Sequence, residues 1–176
     1  MSEREIARMA DTGTGAAHCP ASNMRLGSGI APVAEYLDAG VRVGLGVDGS
    51  ASNDGNDLIG EARLALLLAR VRRQGMMPVR SALELATIGG ARVLGRDDIG
   101  TLSVGKAADF AAFDVNRVEY AGAQHDPVAA LLLCASTRAS YTYVHGKPVV
   151  SEGHPVNLEL ETLVEEHNRA AARLFS

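Results

Sequence analysis

The chain has 176 residues, of which 47% are hydrophobic and 22% are charged, a composition typical of a globular protein and not of a disordered one. Its formal net charge of -4 argues against a nucleic-acid partner and against binding to an anionic membrane. No apolar run in the sequence reaches the ~18 residues that a transmembrane helix needs. The two cysteines form no CxxC pair and no disulfide framework, which favours a reducing, cytoplasmic location.

The first hundred residues alternate predicted strands with predicted helices. The helices are expected to start, in chain order, at Ser2, Pro32, Asp57 and the capping box Ser81-Ala82-Leu83-Glu84. The strands are expected at Thr14–Cys19 and Val41–Val47. The segment ASNMRLGSGI, which follows the first strand, is expected to be a polar loop. This βα alternation predicts an α/β fold built on a parallel sheet.

The pattern changes near Ile99, where short strands and turns become frequent. The predicted strands are Thr101–Val104, Phe110–Asp114 and a hairpin that turns at Gly146-Lys147. Two helices are expected there, one capped by Asp126 and a last one capped by Asn157. We therefore predict three parts, the βα part at residues 1–98, a β part at 99–157 and a C-terminal helix at 158–176.

Two polar residues stand at the carboxyl ends of the two predicted parallel strands. His18 closes the first strand and Asp48 follows the second, and parallel sheets place their sites at such ends. Asp48 has two interpretations from the residues alone. Its oxygens can accept backbone N–H bonds within the Gly-Ser loop as a turn cap, or they can bind a divalent cation or act as a general base. His18 can likewise be a structural hydrogen-bonding residue.

Five motifs in one order resemble the C-terminal half of amidohydrolase-superfamily deaminases, in the cytosine, guanine and chlorohydrolase-like branch. They are HCPASNMRLGSGIAPV, GLGVDGSASND, ATIGGARVLG, IGTLSVGKAADFAAFD and VHGKPVVSEG. The likeness is strongest to 8-oxoguanine deaminases and hydroxyatrazine-type aminohydrolases, and it covers nearly the whole chain. It implies the last two strands and helices of a metal-dependent (β/α)8 barrel, together with part of a small composite β-sandwich.

The same resemblance implies roles for five residues. Asp48 matches the aspartate that ligates zinc, or iron in some relatives, and that carries a proton from water to the leaving amine. His18 is expected to shape the pocket or contact the substrate. Asn23, Ser50 and Asn53 are expected to hydrogen-bond a purine-like ring, and a loop-stabilising role for each stays open. Cys19 is interpreted as a packing residue.

The resemblance also implies an HxH motif after the first barrel strand, a histidine of the fifth strand, and a histidine and a glutamate that handle protons. These residues are expected upstream of this sequence, and none of them is present in it. Three protein ligands plus water are the usual minimum for a catalytic zinc site, so we expect a C-terminal fragment that is inactive alone. The expected parent is a zinc aminohydrolase that releases ammonia from 8-oxoguanine or a related purine, and the intact parent is expected to be a homo-oligomer. A hydroxy-s-triazine or guanine substrate is the first alternative. A non-catalytic barrel remnant that serves as a structural or interaction module is the second.

Overall fold

The computed structural model describes residues 1–73, 77–134 and 138–174. Within them the chain forms two compact units, one from Met1–Lys106 with Val115–Thr137 and one from Ala107–Asp114 with Arg138–Ser176. The predicted boundary at residues 98 and 99 does not coincide with this division, because residues 115–137 return to the first unit. The reason is hydrophobic packing, since helix α7 (Pro127–Leu133) packs on two earlier helices and fully buries Leu132.

Helices make up most of the first unit. Before α7 they are α1 (Glu3–Asp11), α2 (Pro20–Arg25), α3 (Val33–Asp38), α4 (Leu58–Arg73), α5 (Val79–Glu84) and α6 (Gly90–Val93). A π-helical turn (Leu85–Gly89) joins α5 to α6, and a 3-10 turn (Val118–Tyr120) precedes α7. The longest helix has 16 residues, and within the described ranges no helix has the length and apolar character needed to cross a membrane.

Strands β1 (Gly15–His18) and β2 (Arg42–Leu45) pair in parallel, as the βα alternation predicts. The register pairs Gly15 with Arg42 and His18 with Leu45. Parallel strands end at the same edge of their sheet, so the residues that follow β1 and those that follow β2 emerge together. This edge carries both His18 and Asp48.

The core of the first unit lies between the strand pair and the helices. Its buried cluster consists of Ile6, Val33, Tyr36, Val41, Val43, Ala62, Leu66, Ala69, Met77, Ala82, Leu85 and Leu132. On α4 the buried positions recur at helical spacing, as expected for an amphipathic helix with one apolar face. Burying these side chains is the main favourable contribution to the stability of this unit.

Two predicted features among the first 98 residues are wrong. The expected polar loop after β1 is in part helix α2, where Pro20 occupies the first helical position and suits it because its ring fixes φ. The helix expected to start at Ser81 starts at Val79, with Pro78 in extended conformation at its N-cap. Ser81 therefore lies inside a helix and is no cap, because a proline that cannot continue a preceding helix sets the boundary instead.

The second unit contains an antiparallel sheet and the last helix. Its strands run in the order β3 (Phe110–Ala112), β4 (Tyr141–Val144), β5 (Lys147–Ser151) and β6 (His154–Pro155). The β4–β5 hairpin is present as predicted, but its turn lies at His145-Gly146, one residue before the predicted Gly146-Lys147. Both turn residues have positive φ. Helix α8 (Leu160–Leu174) starts later than a cap at Asn157 predicts. The strand predicted at Thr101–Val104, in the first unit, is wrong, since these residues form no strand and Val104 is fully exposed.

Candidate functional site

The candidate site is built around Asp48, in the loop that follows β2. Its carboxylate accepts three hydrogen bonds. Ser22 Oγ donates to Oδ2 at 2.6 Å, Ser52 Oγ donates to the same oxygen at 3.1 Å, and the Gly49 N–H donates to Oδ1 at 2.8 Å. The backbone of Asp48 has φ = 63°, a conformation that is uncommon outside glycine but that aspartate tolerates better than most residues. Such conformations occur at functional sites and also in turns, so this φ is compatible with both interpretations of Asp48.

The three donors stabilise the charged form of Asp48. They lower the pKa of its carboxyl group below the ordinary value, with the Ser22 hydroxyl as the largest cause, followed by the Gly49 N–H and the Ser52 hydroxyl. The side chain is therefore ionised at neutral pH. A carboxylate offers about four acceptor positions, so three hydrogen bonds leave one on Oδ1. The geometry thus provides an exposed, oriented and negatively charged oxygen.

His18 ends β1 at the same sheet edge but is buried, with only 4% of its surface exposed. Its Nδ1 has no hydrogen-bond partner among the described residues. Burial lowers the pKa of the imidazole from 6.5 to about 4, because the charged ring loses its hydration. The side chain is therefore neutral at physiological pH and cannot serve there as a cationic contact.

This buried neutral histidine predicts a pH dependence of stability. Between pH 6.5 and about 4 the unfolded chain binds a proton at His18 that the folded chain does not. The free energy of unfolding should therefore fall as the pH drops through this interval and level off below it, by at most about 3 kcal/mol. Urea unfolding across the interval measures the change. The change in the free energy of unfolding with pH should be smaller in His18→Leu. It should be unchanged in the control His125→Gln, which alters an exposed histidine. An unchanged pH dependence in His18→Leu would contradict the assignment.

The other three predicted site residues lie on the loops and helix around Asp48. Asn53 uses its side-chain Nδ2 structurally, since it donates to the Val47 carbonyl and to Glu61 Oε1, both at 2.8 Å. Ser50 is exposed in the loop between Asp48 and Asn53. Asn23 is half-buried on α2, beside Ser22. The structure therefore gathers the five predicted residues at one edge and gives Asn53 a loop-stabilising role.

Comparison with known proteins decides the family. Residues 1–151 match the sequence profile of the amidohydrolase family. The chain belongs to this family. It is 49% identical over 174 residues to an 8-oxoguanine deaminase from Pseudomonas aeruginosa, an alignment that covers 98% of this chain and 38% of the relative. It is 51% identical over 127 residues to hydroxydechloroatrazine ethylaminohydrolase from Pseudomonas sp. strain ADP, covering 70% of this chain and 26% of that enzyme.

A solved member of the amidohydrolase family has the same fold over nearly the whole chain. The crystal structure of atrazine chlorohydrolase from Arthrobacter aurescens TC1 complexed with zinc superposes with a TM-score of 0.90 at 40% identity. The match covers 96% of this chain and 38% of that enzyme. The chain thus spans well under half the length of these amidohydrolase relatives, and its mixed α/β architecture agrees with the predicted fold class.

The described residues of this amidohydrolase chain fit a metal ion only in part. No group of three or more His, Cys, Asp or Glu side chains is placed to hold one within the ranges described. Among the five predicted site residues, Asp48 combines carboxylate chemistry with exposure, and hard carboxylate oxygens bind divalent cations. Cys19 is not a second candidate, because burial and the negative charges of Asp48 and Glu61 raise the pKa of its thiol. This agrees with its interpretation as a packing residue.

Sequence reasoning missed the side chains that hold Asp48 in place. Ser22 and Ser52 are both buried, with 1% and 8% of their surfaces exposed, and both donate to the Asp48 carboxylate. Glu61, on α4, is 2% exposed and accepts hydrogen bonds from Ala21 of α2 and from Asn53 of the loop after β2. One signal was available for Glu61, since it is an acid beside Ala62 on the apolar face of α4. Nothing local pointed to Ser22, which lies 26 positions before Asp48.

Proposed function

We propose that β1 and β2 are the last two strands of a (β/α)8 barrel and that the second unit belongs to a composite β-sandwich. The parallel pairing of these strands, each followed by helices, supports the barrel assignment. The superposition on a solved amidohydrolase at a TM-score of 0.90 supports it further. The antiparallel sheet of the second unit is compatible with one layer of a sandwich.

We further propose that the protein containing this chain is a zinc-dependent hydrolytic deaminase in which Asp48 supplies one metal ligand. The single observation that carries the proposal is the Asp48 carboxylate, strained in its backbone and held by three donors with one oxygen position left open. The remaining ligands would come from parts of the protein that this chain does not contain. Iron is the alternative metal, as carboxylate and imidazole ligands suit both.

The proposed reaction replaces an exocyclic amine by oxygen. Water adds to the ring carbon that carries the amine, the C–N bond breaks, and ammonia leaves. When bound, zinc would lower the pKa of water toward 7. Asp48 would accept the proton released by the attacking water and return it to the departing nitrogen, a general base and acid role. Its neighbours Ser22 and Ser52 would hold the carboxylate in position throughout.

We propose 8-oxoguanine, or a related purine, as the substrate. The 49% identity to an 8-oxoguanine deaminase over 98% of the chain supports this choice. A hydroxy-s-triazine is the second candidate, favoured by the 51% identity to the ethylaminohydrolase over a shorter segment. Guanine is the third. His18, Asn23, Ser50 and Asn53 are proposed to shape the pocket or contact the ring. Homo-oligomer formation and cytoplasmic location stay predictions from the sequence.

A chimeric enzyme tests the proposed function. This chain replaces the aligned segment of the Pseudomonas aeruginosa 8-oxoguanine deaminase, which supplies the other 62% of the length, the remainder after the aligned 38%. We expect the chimera to bind zinc and to release ammonia from 8-oxoguanine faster than it releases ammonia from guanine or ethylamine from hydroxydechloroatrazine. The released amine, ammonia or ethylamine, and the metal content are measured beside the unaltered relative as the reference.

Two results would contradict the proposal in different ways. Preference for hydroxydechloroatrazine would show that the substrate assignment is wrong while the deaminase assignment holds. A folded, zinc-loaded chimera that releases neither ammonia from the two purines nor ethylamine from hydroxydechloroatrazine would favour the non-catalytic alternative. Folding is checked by circular dichroism, so that a chimera that merely fails to fold is recognised.

A further inference from the structure

Glu61 is a buried carboxylate at the start of α4, with 2% of its surface exposed. Its two oxygens accept hydrogen bonds from two different segments of the chain. Oε2 accepts from the Ala21 N–H of α2 at 3.0 Å, and Oε1 accepts from Nδ2 of Asn53 at 2.8 Å. Burying a carboxylate is costly unless hydrogen bonds compensate, and here α2 and the loop that contains Asn53 supply those hydrogen bonds.

Each of the two residues that donate to Glu61 is connected to Asp48 through one neighbouring residue. On one side, Ala21 precedes Ser22, whose hydroxyl donates to Asp48 Oδ2 at 2.6 Å. On the other side, Asn53 Nδ2 also donates to the carbonyl of Val47, the residue directly before Asp48. Glu61 therefore connects helix α2 and the loop of residues 47–53, which together contribute the donors to the Asp48 carboxylate.

The chemistry of the two donors explains why this residue is an acid. The Ala21 backbone offers only an N–H, and Asn53 must present its NH2 group because the Val47 carbonyl beside it can only accept. Two donors require two acceptors, and a carboxylate has two acceptor oxygens. A glutamine of the same size has one carbonyl oxygen and one NH2 group. Its oxygen can accept from one of the two donors, but its NH2 group would face the other donor without an acceptor between them.

We infer that Glu61 is a positioning residue that fixes the Asp48 side chain in one rotamer by holding together the two segments around it. The functional meaning of this role depends on the proposed function of Asp48, but the geometric claim does not. Within the described part of the chain, Glu61 makes no hydrogen bond to Asp48 itself. It acts through α2 and Ser22 on one side and through Asn53 and Val47 on the other.

The test is an NMR comparison of the full 176-residue chain with Glu61→Gln and with a matched control, Glu84→Gln, which removes an exposed acid from α5 of the same unit. The readout is the set of three-bond couplings between Hα and the two Hβ protons of Asp48, which report its rotamer. In the unaltered chain and in Glu84→Gln we expect couplings of a single rotamer. In Glu61→Gln we expect averaged, intermediate couplings and a shifted Gly49 amide signal.

Glu61→Asp provides a second variant that keeps the charge, since a shorter acid cannot reach both Ala21 and Asn53. It should show the same averaging at Asp48, and it decides the question if Glu61→Gln does not fold. Unchanged Asp48 couplings in a folded Glu61 variant, or equal averaging in Glu84→Gln, would overturn the inference. The measurement needs neither metal nor substrate, so its failure is distinct from failure of the chimera.

Discussion

Asp48→Asn is expected to lower the kcat of the chimera by at least about 100-fold, the low end of what general base catalysis contributes. Asparagine has nearly the same shape and tolerates the positive φ of 63° at this position. The Gly49 N–H keeps its acceptor, and the hydroxyls of Ser22 and Ser52 can rotate to accept from the new amide. The substitution therefore removes the negative charge and the proton acceptor with little change in the loop.

The matched control for this substitution is Asp54→Asn in the same loop. Asp54 is exposed and pairs with Arg25 at the surface, so its neutralisation should leave kcat near that of the unaltered chimera. His18→Ala should reduce activity less than Asp48→Asn. Near-full activity of Asp48→Asn would mean that Asp48 only caps the turn after β2, and the proposed metal ligand would have to be sought elsewhere.

Gly89→Ala is expected to destabilise the chain by about 3 kcal/mol or more, at the upper end of what overpacking costs. Gly89 ends the π-helical turn that crosses β2. An added Cβ would lie 2.4 Å from the Val43 carbonyl oxygen and 3.0 Å from the Glu84 carbonyl oxygen. Both obstacles are backbone atoms, which cannot move aside as a flexible side chain can. The midpoint of urea unfolding measures the loss.

The neighbouring glycine supplies the control. A Cβ at Gly90 would meet nothing within 4 Å, and the residue has helical dihedrals with φ = -58°. Gly90→Ala should therefore leave stability unchanged or raise it by up to about 1 kcal/mol, since alanine favours the helix. Equal destabilisation by the two substitutions would show that the close approach of this turn to Val43 is not what requires glycine.

The parallel strand pair and most helices were predictable because their signals are local. Periodic apolar residues mark α4, and Ser2 with Glu5 forms the capping box that starts α1. Two of the errors were local, since Pro20 and Pro78 mark helix starts that the sequence analysis did not use. Other features depend on distant contacts. The π-helical turn depends on the approach of Gly89 to Val43, and the return of residues 115–137 depends on burial of Leu132. Neither contact leaves a periodic pattern in the neighbouring sequence.

The candidate site likewise contains residues that local sequence signals predict and residues that only tertiary contacts reveal. Asp48 and His18 were predictable because a polar residue at the end of an apolar strand is a local signal. The residues that orient Asp48 were not, because Ser22 and Glu61 reach it across 26 and 13 positions of sequence and through α2. Hydrogen bonds from Ser22, Gly49 and Ser52 lower the pKa of Asp48, and burial keeps His18 neutral. Neither effect can be inferred from composition or residue spacing.

The discontinuity of the first unit has a consequence for how the chain is made. The chain leaves that unit after Lys106, forms β3, and returns at Val115 to add α7 and the fully buried Leu132. Domains fold from the N-terminus as the ribosome releases the chain. The hydrophobic core of the first unit is therefore incomplete until α7 has emerged, because it includes Leu132. A premature stop codon between residues 107 and 132 would therefore remove α8. It would also remove all or part of α7, so that α4 and α5 would lose the helix that completes their core.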